Sequence, residues 1–325
     1  MRSQLDESSL LSKLRGIFQL DFRRDDQPMT HICVGVCTYK RPDLLERLLK
    51  ELVEQETGGL FTYSIVVVDN DKLESAKAVA TDSALAAPVP IKYYMEPRQN
   101  IAMARNRAIE NAEGDFVAFI DDDEVPTKRW LMTLFEALHQ YQADGALGPV
   151  KPQFDVEPPK WVVDSKLYDR PTYPTGFVID WRKGRTGNVL LAKRIFIPGE
   201  QHFRPEFLTG EDQDFFRRKI EKGHKFIWCN EALAYEIEPP MRWKRTFLLR
   251  RALLRGKISI VHPTFGSREI LTSLVAVPAY MFTLPFALLF GQGKFMRCLI
   301  KLFDHLGRLL ALLKINPVGE AYVTE

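Results

Sequence analysis

Between residues 31 and 150, short apolar runs alternate with stretches whose apolar positions recur every three or four residues. The runs 32–38 (ICVGVCT), 63–69 (YSIVVVD), 91–95 (IKYYM) and 115–120 (DFVAFI) are nearly all apolar, which predicts buried strands; 145–150 predicts a fifth. The segments between them predict helices, one opened by Pro42 (PDLLERLLKELVEQ), one over 100–113 and one over 127–142. Such strands separated by amphipathic helices specify an α/β fold, a mostly parallel central sheet with helices on both faces. Ligands in such sheets bind beyond the carboxyl ends of the strands.

Either side of this block the pattern changes. Leu10, Leu11, Leu14, Ile17 and Phe18 sit at helical spacing ahead of a charged break at 21–26, so residues 1–29 read as an amphipathic helix and linker. Residues 151–187 are rich in Pro, Gly and aromatics with few regular signals, as in a functional loop. A helix over 211–222, a strand over 226–236 and a basic segment over 241–257 follow. From Leu271 to Phe290 no residue is charged, a length sufficient to cross a bilayer core. Pro278 and Pro285 would kink a spanning helix, so a re-entrant or interfacial hairpin competes with a span. The stretch 296–313 is amphipathic and suits an in-plane surface helix; the alternative for both is an apolar helical pair buried on the preceding domain. The domains expected are therefore 1–29, 30–257 and a membrane-associating tail over 258–325.

Composition adds limits. The chain has 325 residues, 46% of them hydrophobic and 27% charged, and a net charge of +3 too small to argue for nucleic acid. Cys33, Cys37, Cys229 and Cys298 form no disulfide framework; the first two share one strand, where four residues at roughly 3.3 Å each exceed disulfide reach. A reducing compartment fits, and the acidic start of the chain lacks the marks of a secretory leader.

The chemistry concentrates at strand ends. Phe119-Ile120-Asp121-Asp122-Asp123-Glu124 runs an apolar strand into four acids, whose mutual repulsion calls for a positive partner such as a divalent cation on a diphosphate. A solvated turn capping the next helix is the simpler alternative. Asp69 ends another strand, where it suits the imide N–H of a uracil ring or an ordinary helix cap. The first strand ends at Thr38-Tyr39-Lys40-Arg41-Pro42, so three strand ends converge on one cleft. Thr209-Gly210-Glu211-Asp212 opens a helix, either as a dipole-stabilised start or as a general base for an acceptor hydroxyl. Arg98, Arg105 and Arg107 suit phosphate oxygens or a solvated helix face. Seven basic residues and no acid occupy 241–257; an amphipathic helix there suits a diphosphate, an anionic membrane or a lipid pyrophosphate. No base-stacking signature supports RNA binding there.

With these residues in view, the chain resembles the family 2 inverting glycosyltransferases of the GT-A fold, in the branch of succinoglycan-type exopolysaccharide glucosyltransferases. The ordered motifs are Val36-Cys37-Thr38-Tyr39-Lys40-Arg41-Pro42, Val68-Asp69-Asn70, Ala104-Arg105-Asn106, Asp121-Asp122-Asp123, Thr186-Gly187-Asn188 and Gly210-Glu211-Asp212, across residues 30–257. The resemblance implies that Thr38 and Asp69 hold the base of a nucleotide-sugar donor and Asp122 its ribose, with Asp121 beside them. Arg105 would lie near the phosphates and Asp123 would bind Mg²⁺ or Mn²⁺. Asp212 would be the catalytic base, and Thr186, Gly187, Asn188 and Glu211 would line the donor-sugar and acceptor side. The implied reaction is transfer of a hexose, glucose from UDP-glucose, to a lipid-linked or oligosaccharide acceptor at the cytoplasmic face of the plasma membrane. Two departures stand out: Glu238-Pro239-Pro240-Met241-Arg242-Trp243 lacks the Gln of the processive Gln-x-x-Arg-Trp motif, and Tyr235-Glu236 stands where some members place a His. A sugar nucleotidyltransferase and a non-catalytic membrane adaptor are the rival readings.

Overall fold

The computed structural model describes residues 29–207, 209–261 and 265–319, so the expected N-terminal helix lies outside the described residues. In chain order the elements are β1 His31–Thr38, α1 Pro42–Leu52, β2 Thr62–Asp69, α2 Lys77–Ala86, β3 Ile91–Met95, α3 Ile101–Asn111, β4 Phe116–Asp121, β5 Glu124–Pro126 and α4 Trp130–Gln140. After them come β6 Gly145–Leu147, β7 Val150–Gln153, α5 Lys160–Ser165, β8 Asn188–Ala192, α6 Glu211–Glu221, β9 Phe226–Trp228 and β10 Ala234–Ile237. Three helices end the described chain: α7 Arg245–Ser259, α8 Ser267–Leu289 and α9 Gln292–Leu312.

Seven strands form the central sheet in the order β3-β2-β1-β4-β8-β6-β9. β1, β2, β3 and β4 run parallel, and β8 is antiparallel to both of its neighbours. The strands are buried on both faces with a period of two. Ile32, Val34 and Val36 pack with Leu45, Leu48 and Phe135 on one side, while Cys33, Val66 and Val68 pack with Ala104, Ala108, Phe215 and Phe216 on the other. Asn100 caps α3 by accepting from the N–H groups of Ala102 and Met103 at 2.9 and 3.2 Å.

Two expected strands are each split between sheets. The run 145–150 breaks at Gly148-Pro149 into β6 of the large sheet and β7 of a second sheet, ordered β5-β10-β7. A side chain at Gly148 would collide with the carbonyl of Ala232, so a close backbone crossing forces the break. The run 226–236 likewise divides into β9 and β10 around a turn. The small sheet pairs Glu236 with Glu124 across β10 and β5, at the carboxyl end of β4.

The C-terminal helices are attached to this body. α9 buries Met296 and Ile300 against Leu248 and Ala252 of α7, which corrects the expectation of a free in-plane helix over 296–313. Small residues set the crossing: a Cβ on Gly256 would strike the Asp304 carbonyl, and one on Gly307 the Leu253 carbonyl. Arg255, one of the seven basic residues of 241–257, pairs with Asp304 at 2.8 and 2.5 Å, so its charge is taken up within the protein. α8 runs unbroken through Pro278 and Pro285. It touches α9 through Ser273, whose hydroxyl lies 3.1 Å from His305 and 3.0 Å from Arg308. Ile270, Val277, Tyr280 and Leu284 are half-buried, but most of its large apolar side chains are exposed, Phe282 by 73% and Leu289 by 81%, and among the described residues it is the one helix long and apolar enough to cross a membrane.

Gly256→Val is predicted to lower stability by at least about 2 kcal/mol, because a backbone carbonyl cannot yield to the added methyls. Thermal unfolding of the full chain measures this, and an unchanged Tm would show that the α7–α9 crossing is looser than described.

Candidate active site

Four acids leave β4 in sequence, and the chain turns each toward a different partner. Asp121 faces Arg105 at 3.5 Å. Asp122 accepts from the Thr38 hydroxyl at 2.8 Å and from Arg41 at 3.3 Å. Asp123 is bonded through one oxygen to Arg41 at 3.3 Å and to Arg242 at 2.7 Å. Glu124 is 1% exposed, its two oxygens accept no hydrogen bond, and Arg170 stands 4.0 Å away. Lys40, in the left-handed region at φ 55°, turns the chain after β1 so that Arg41 meets the acids.

The small sheet extends the cluster. Glu236 pairs with Arg170 and lies 3.3 Å from Arg242, which also approaches Glu238 at 3.5 Å. Among the described residues, Asp121, Asp122, Asp123, Glu124, Glu211, Glu236 and Glu238 are paired with four guanidiniums, those of Arg41, Arg105, Arg170 and Arg242, and the charge of Arg251 also acts on Glu236 and Glu238. Negative charge is in excess, in a place where charge is costly to bury. Burial pushes the carboxyl of Asp122 up to about 7, with Asp123 adding repulsion, and burial also lifts that of Glu238 to about 7. Glu124 is raised well above the ordinary range for the same reason.

Arg105 joins this cluster to the start of α6. Its guanidinium is 9% exposed and pairs with Glu211 on one side and Asp121 on the other. Burial raises Glu211 to about 7 although Arg105 opposes the shift. Gly210, at φ 86°, makes the left-handed turn that starts the helix there. Asp212 follows as a partly exposed carboxylate whose Oδ1 accepts from the N–H of Gln213 at 2.7 Å. It has no ion pair among the described residues. The next acid, Asp214, is fully buried and bonded to Arg217 and Arg218 at 3.2 and 2.8 Å, so it serves the fold.

The Thr186-Gly187-Asn188 triplet divides by role. A Cβ on Gly187 would stand 2.7 Å from Asp121 Oδ2 and 2.8 Å from Glu124 Oε1, so the glycine keeps that acid pair open. Thr186 is buried with a hydroxyl that has no partner. Asn188, expected on the donor-sugar side, is spent on the fold. It accepts from the Trp130 indole at 2.8 Å and donates to the carbonyls of Pro149 and Ala232 at 3.0 and 2.8 Å. Asp69 is buried too, accepting from the N–H groups of Asp71 and Ala76 and from Tyr93 at 3.0, 2.8 and 3.1 Å; it holds the loop after β2 as a cap does. Asn70 ties that loop to Glu96, Arg98 and Asn100, a role its sequence neighbours did not announce.

Arg41, Arg170, Arg242, Glu236 and Glu238 escaped the candidate set. Arg170 lies in the irregular loop, with no local pattern to mark it. Arg242 was visible as the Arg-Trp of a broken motif, and the structure seats it on Asp123. Among the described residues no three His, Cys, Asp or Glu side chains are grouped as a metal cage. The donors nevertheless fit a hard cation that takes most of its ligands from phosphates. Asp123 and Asp121 are carboxylates at the cleft, and both buried Glu124 oxygens lack a partner.

Between about pH 4.5 and 7 the folded chain keeps protons on these raised carboxyls that the unfolded chain has released, so stability falls as pH rises through that window. Glu238→Gln is therefore predicted to stabilise the chain by on the order of 2 kcal/mol at pH 8 and to change nothing at pH 4.5. Denaturant unfolding at the two pH values measures it; an equal effect at both would remove the charge explanation.

Comparison with known proteins bears on the family and the fold. Residues 33–196 match the model of glycosyl transferase family 2. The succinoglycan biosynthesis protein ExoM of Rhizobium meliloti (strain 1021) is 32% identical over 229 residues, which cover 70% of this chain and 73% of that protein. A chondroitin synthase of Escherichia coli is 22% identical over 70% of this chain but only 37% of its own length. Among solved structures, a mannosyltransferase from Pyrobaculum calidifontis in complex with GDP-Man and Mn²⁺ superposes with a TM-score of 0.59, covering 95% of both chains at 17% identity, a likeness of fold. With a family model spanning half the chain and a relative above 30% identity along most of it, the protein belongs to glycosyl transferase family 2.

Proposed function

We propose that this glycosyltransferase moves one hexose, glucose from UDP-glucose, onto a lipid-linked or saccharide acceptor in exopolysaccharide or other cell-surface glycan synthesis, with inversion and the help of Mg²⁺ or Mn²⁺. The observation that carries the reading is Arg105, which ties the acid cluster after β4 to the acids opening α6. Metal end and base end of a displacement thereby share one cleft.

In this reading Thr38 and the loop held by Asp69 flank the base, and Asp122 faces the ribose. Asp123, with Asp121 and Glu124, would hold the cation, which when bound neutralises charge developing on the departing diphosphate. Arg105 stays beside the phosphates, fixed by Glu211. Asp212 takes the proton of the acceptor hydroxyl as that oxygen bonds to the anomeric carbon. The bond from that carbon to the diphosphate oxygen breaks on the opposite side, so the configuration inverts.

The similarity to a succinoglycan biosynthesis protein supports the exopolysaccharide setting. The missing Gln ahead of Arg242-Trp243 supports single additions rather than polymerisation. The exposed apolar face of α8 supports a bilayer as the working surface, and four free cysteines suit its cytoplasmic side. Family membership sets aside the nucleotidyltransferase alternative.

Nucleoside diphosphate release by the membrane-bound chain, given UDP-, dTDP- and GDP-sugars with Mn²⁺ or Mg²⁺, tests the proposal. UDP-glucose is expected to be turned over, and Asp123→Ala or Asp212→Asn to lower kcat by at least about 100-fold. Undiminished release by both variants would contradict the assigned roles, and no release from any donor would favour a membrane adaptor.

A further inference from the structure

A cavity of about 370 Å³ lies between the C-terminal turns of α7 and α9 and the segment that leads into α6, and none of the acid cluster lines it. Its volume falls within the range of small-ligand sites. Its wall is mostly apolar, formed by Phe207, Ile258, Val261, Ala311 and Ile315. Thr209 completes it, three residues before Asp212. One border of this cavity therefore belongs to the same loop that positions the proposed base.

Two lysines and one acid, the exposed Glu206, line the apolar wall, which leaves its net charge positive. Lys257 is committed to the fold, donating to Asn316 Oδ1 at 2.7 Å and to the Val318 carbonyl at 3.0 Å, and so it fixes the chain after α9. Lys314 is exposed, lines the cavity and has no ion pair among the described residues. An apolar hollow with an unpaired ammonium group is complementary to an amphiphile with a hydrocarbon chain and an anionic head. α9 continues from the cavity along α8, whose Leu274, Met281, Phe282 and Phe286 are exposed.

From this we infer that the cavity seats the hydrocarbon chain of a long-chain phosphate lipid, the lipid end of the acceptor, with its phosphate beside Lys314. The inference rests on the transferase reading in assigning this lipid to the acceptor. It gives the lipid a second point of attachment, separate from the bilayer surface covered by α8, and carries the lipid's glycan along Thr209 toward Asp212.

The test uses a dodecyl phosphate with a photoreactive diazirine in its chain, applied to the full chain and mapped by peptide mass spectrometry. Labelling is expected on 257–261 and 311–316, unaffected by inorganic phosphate. Ala311→Phe, which fills the cavity, and Ile315→Asp, at a half-exposed position that tolerates polarity, are each expected to reduce that labelling about tenfold. Labelling confined to 267–290, or labelling at the cavity that survives both substitutions, would overturn the assignment. So would displacement by inorganic phosphate alone. Nucleoside diphosphate release from the sugar donor, measured on the same preparations, separates the two readings: its absence in the unsubstituted chain defeats the transferase and leaves the lipid site standing, whereas release with no labelling defeats the lipid site alone.

Discussion

Gathering seven carboxylates, six of them largely buried, around four arginines near the end of β4 is the constraint on which the rest of the site depends. That arrangement is costly, because most of these acids leave water and the guanidiniums paired with them do not match them in number. The arginines come from four distant places: the turn after β1, α3, the long irregular loop, and the short turn before α7. The small sheet places Glu236 beside Glu124, and the turn that follows it delivers Arg242 to Asp123. A fold that needed only stability would fill this space with apolar side chains. The proposed diphosphate and cation would instead need charge held in excess and short of a partner.

The same constraint explains the small details around it. Gly187 is a glycine because Asp121 and Glu124 occupy the place of its side chain. Glu211 is held by Arg105, which leaves Asp212 as the carboxylate with exposed surface and no ion pair at the start of α6. Away from the cleft, the α7–α9 crossing uses glycines for a different reason, to bring two backbones close enough to carry α8 as a projecting apolar edge.

Much of this was legible in the sequence, where local pattern and fold agree. β1 to β4 fall within one residue of their predicted places because each is a mostly apolar run, and the acids that end β2 and β4 were visible for the same reason. What was not legible depends on contacts between distant segments. The division of 145–150 and 226–236 between two sheets follows from one backbone crossing at Gly148 and Ala232. β8, a central strand, is a five-residue run after a long irregular stretch and carried too little pattern to be assigned. Asn188 looked like a cleft residue from its motif, yet its amide is consumed in joining β8 to two turns. Arg170 has no sequence signal at all; only folding brings it to Glu124 and Glu236.

If the excess of carboxylates exists to receive a cation with a diphosphate, nucleotide affinity must depend on that cation. The most direct measurement is calorimetric titration of UDP into the chain with Mn²⁺ and then with EDTA, repeated for Asp123→Ala. The account predicts UDP binding at least about tenfold tighter with Mn²⁺, a difference lost in the variant. Equal affinity under all these conditions would contradict it, and the acid cluster would then have to be understood as structure alone.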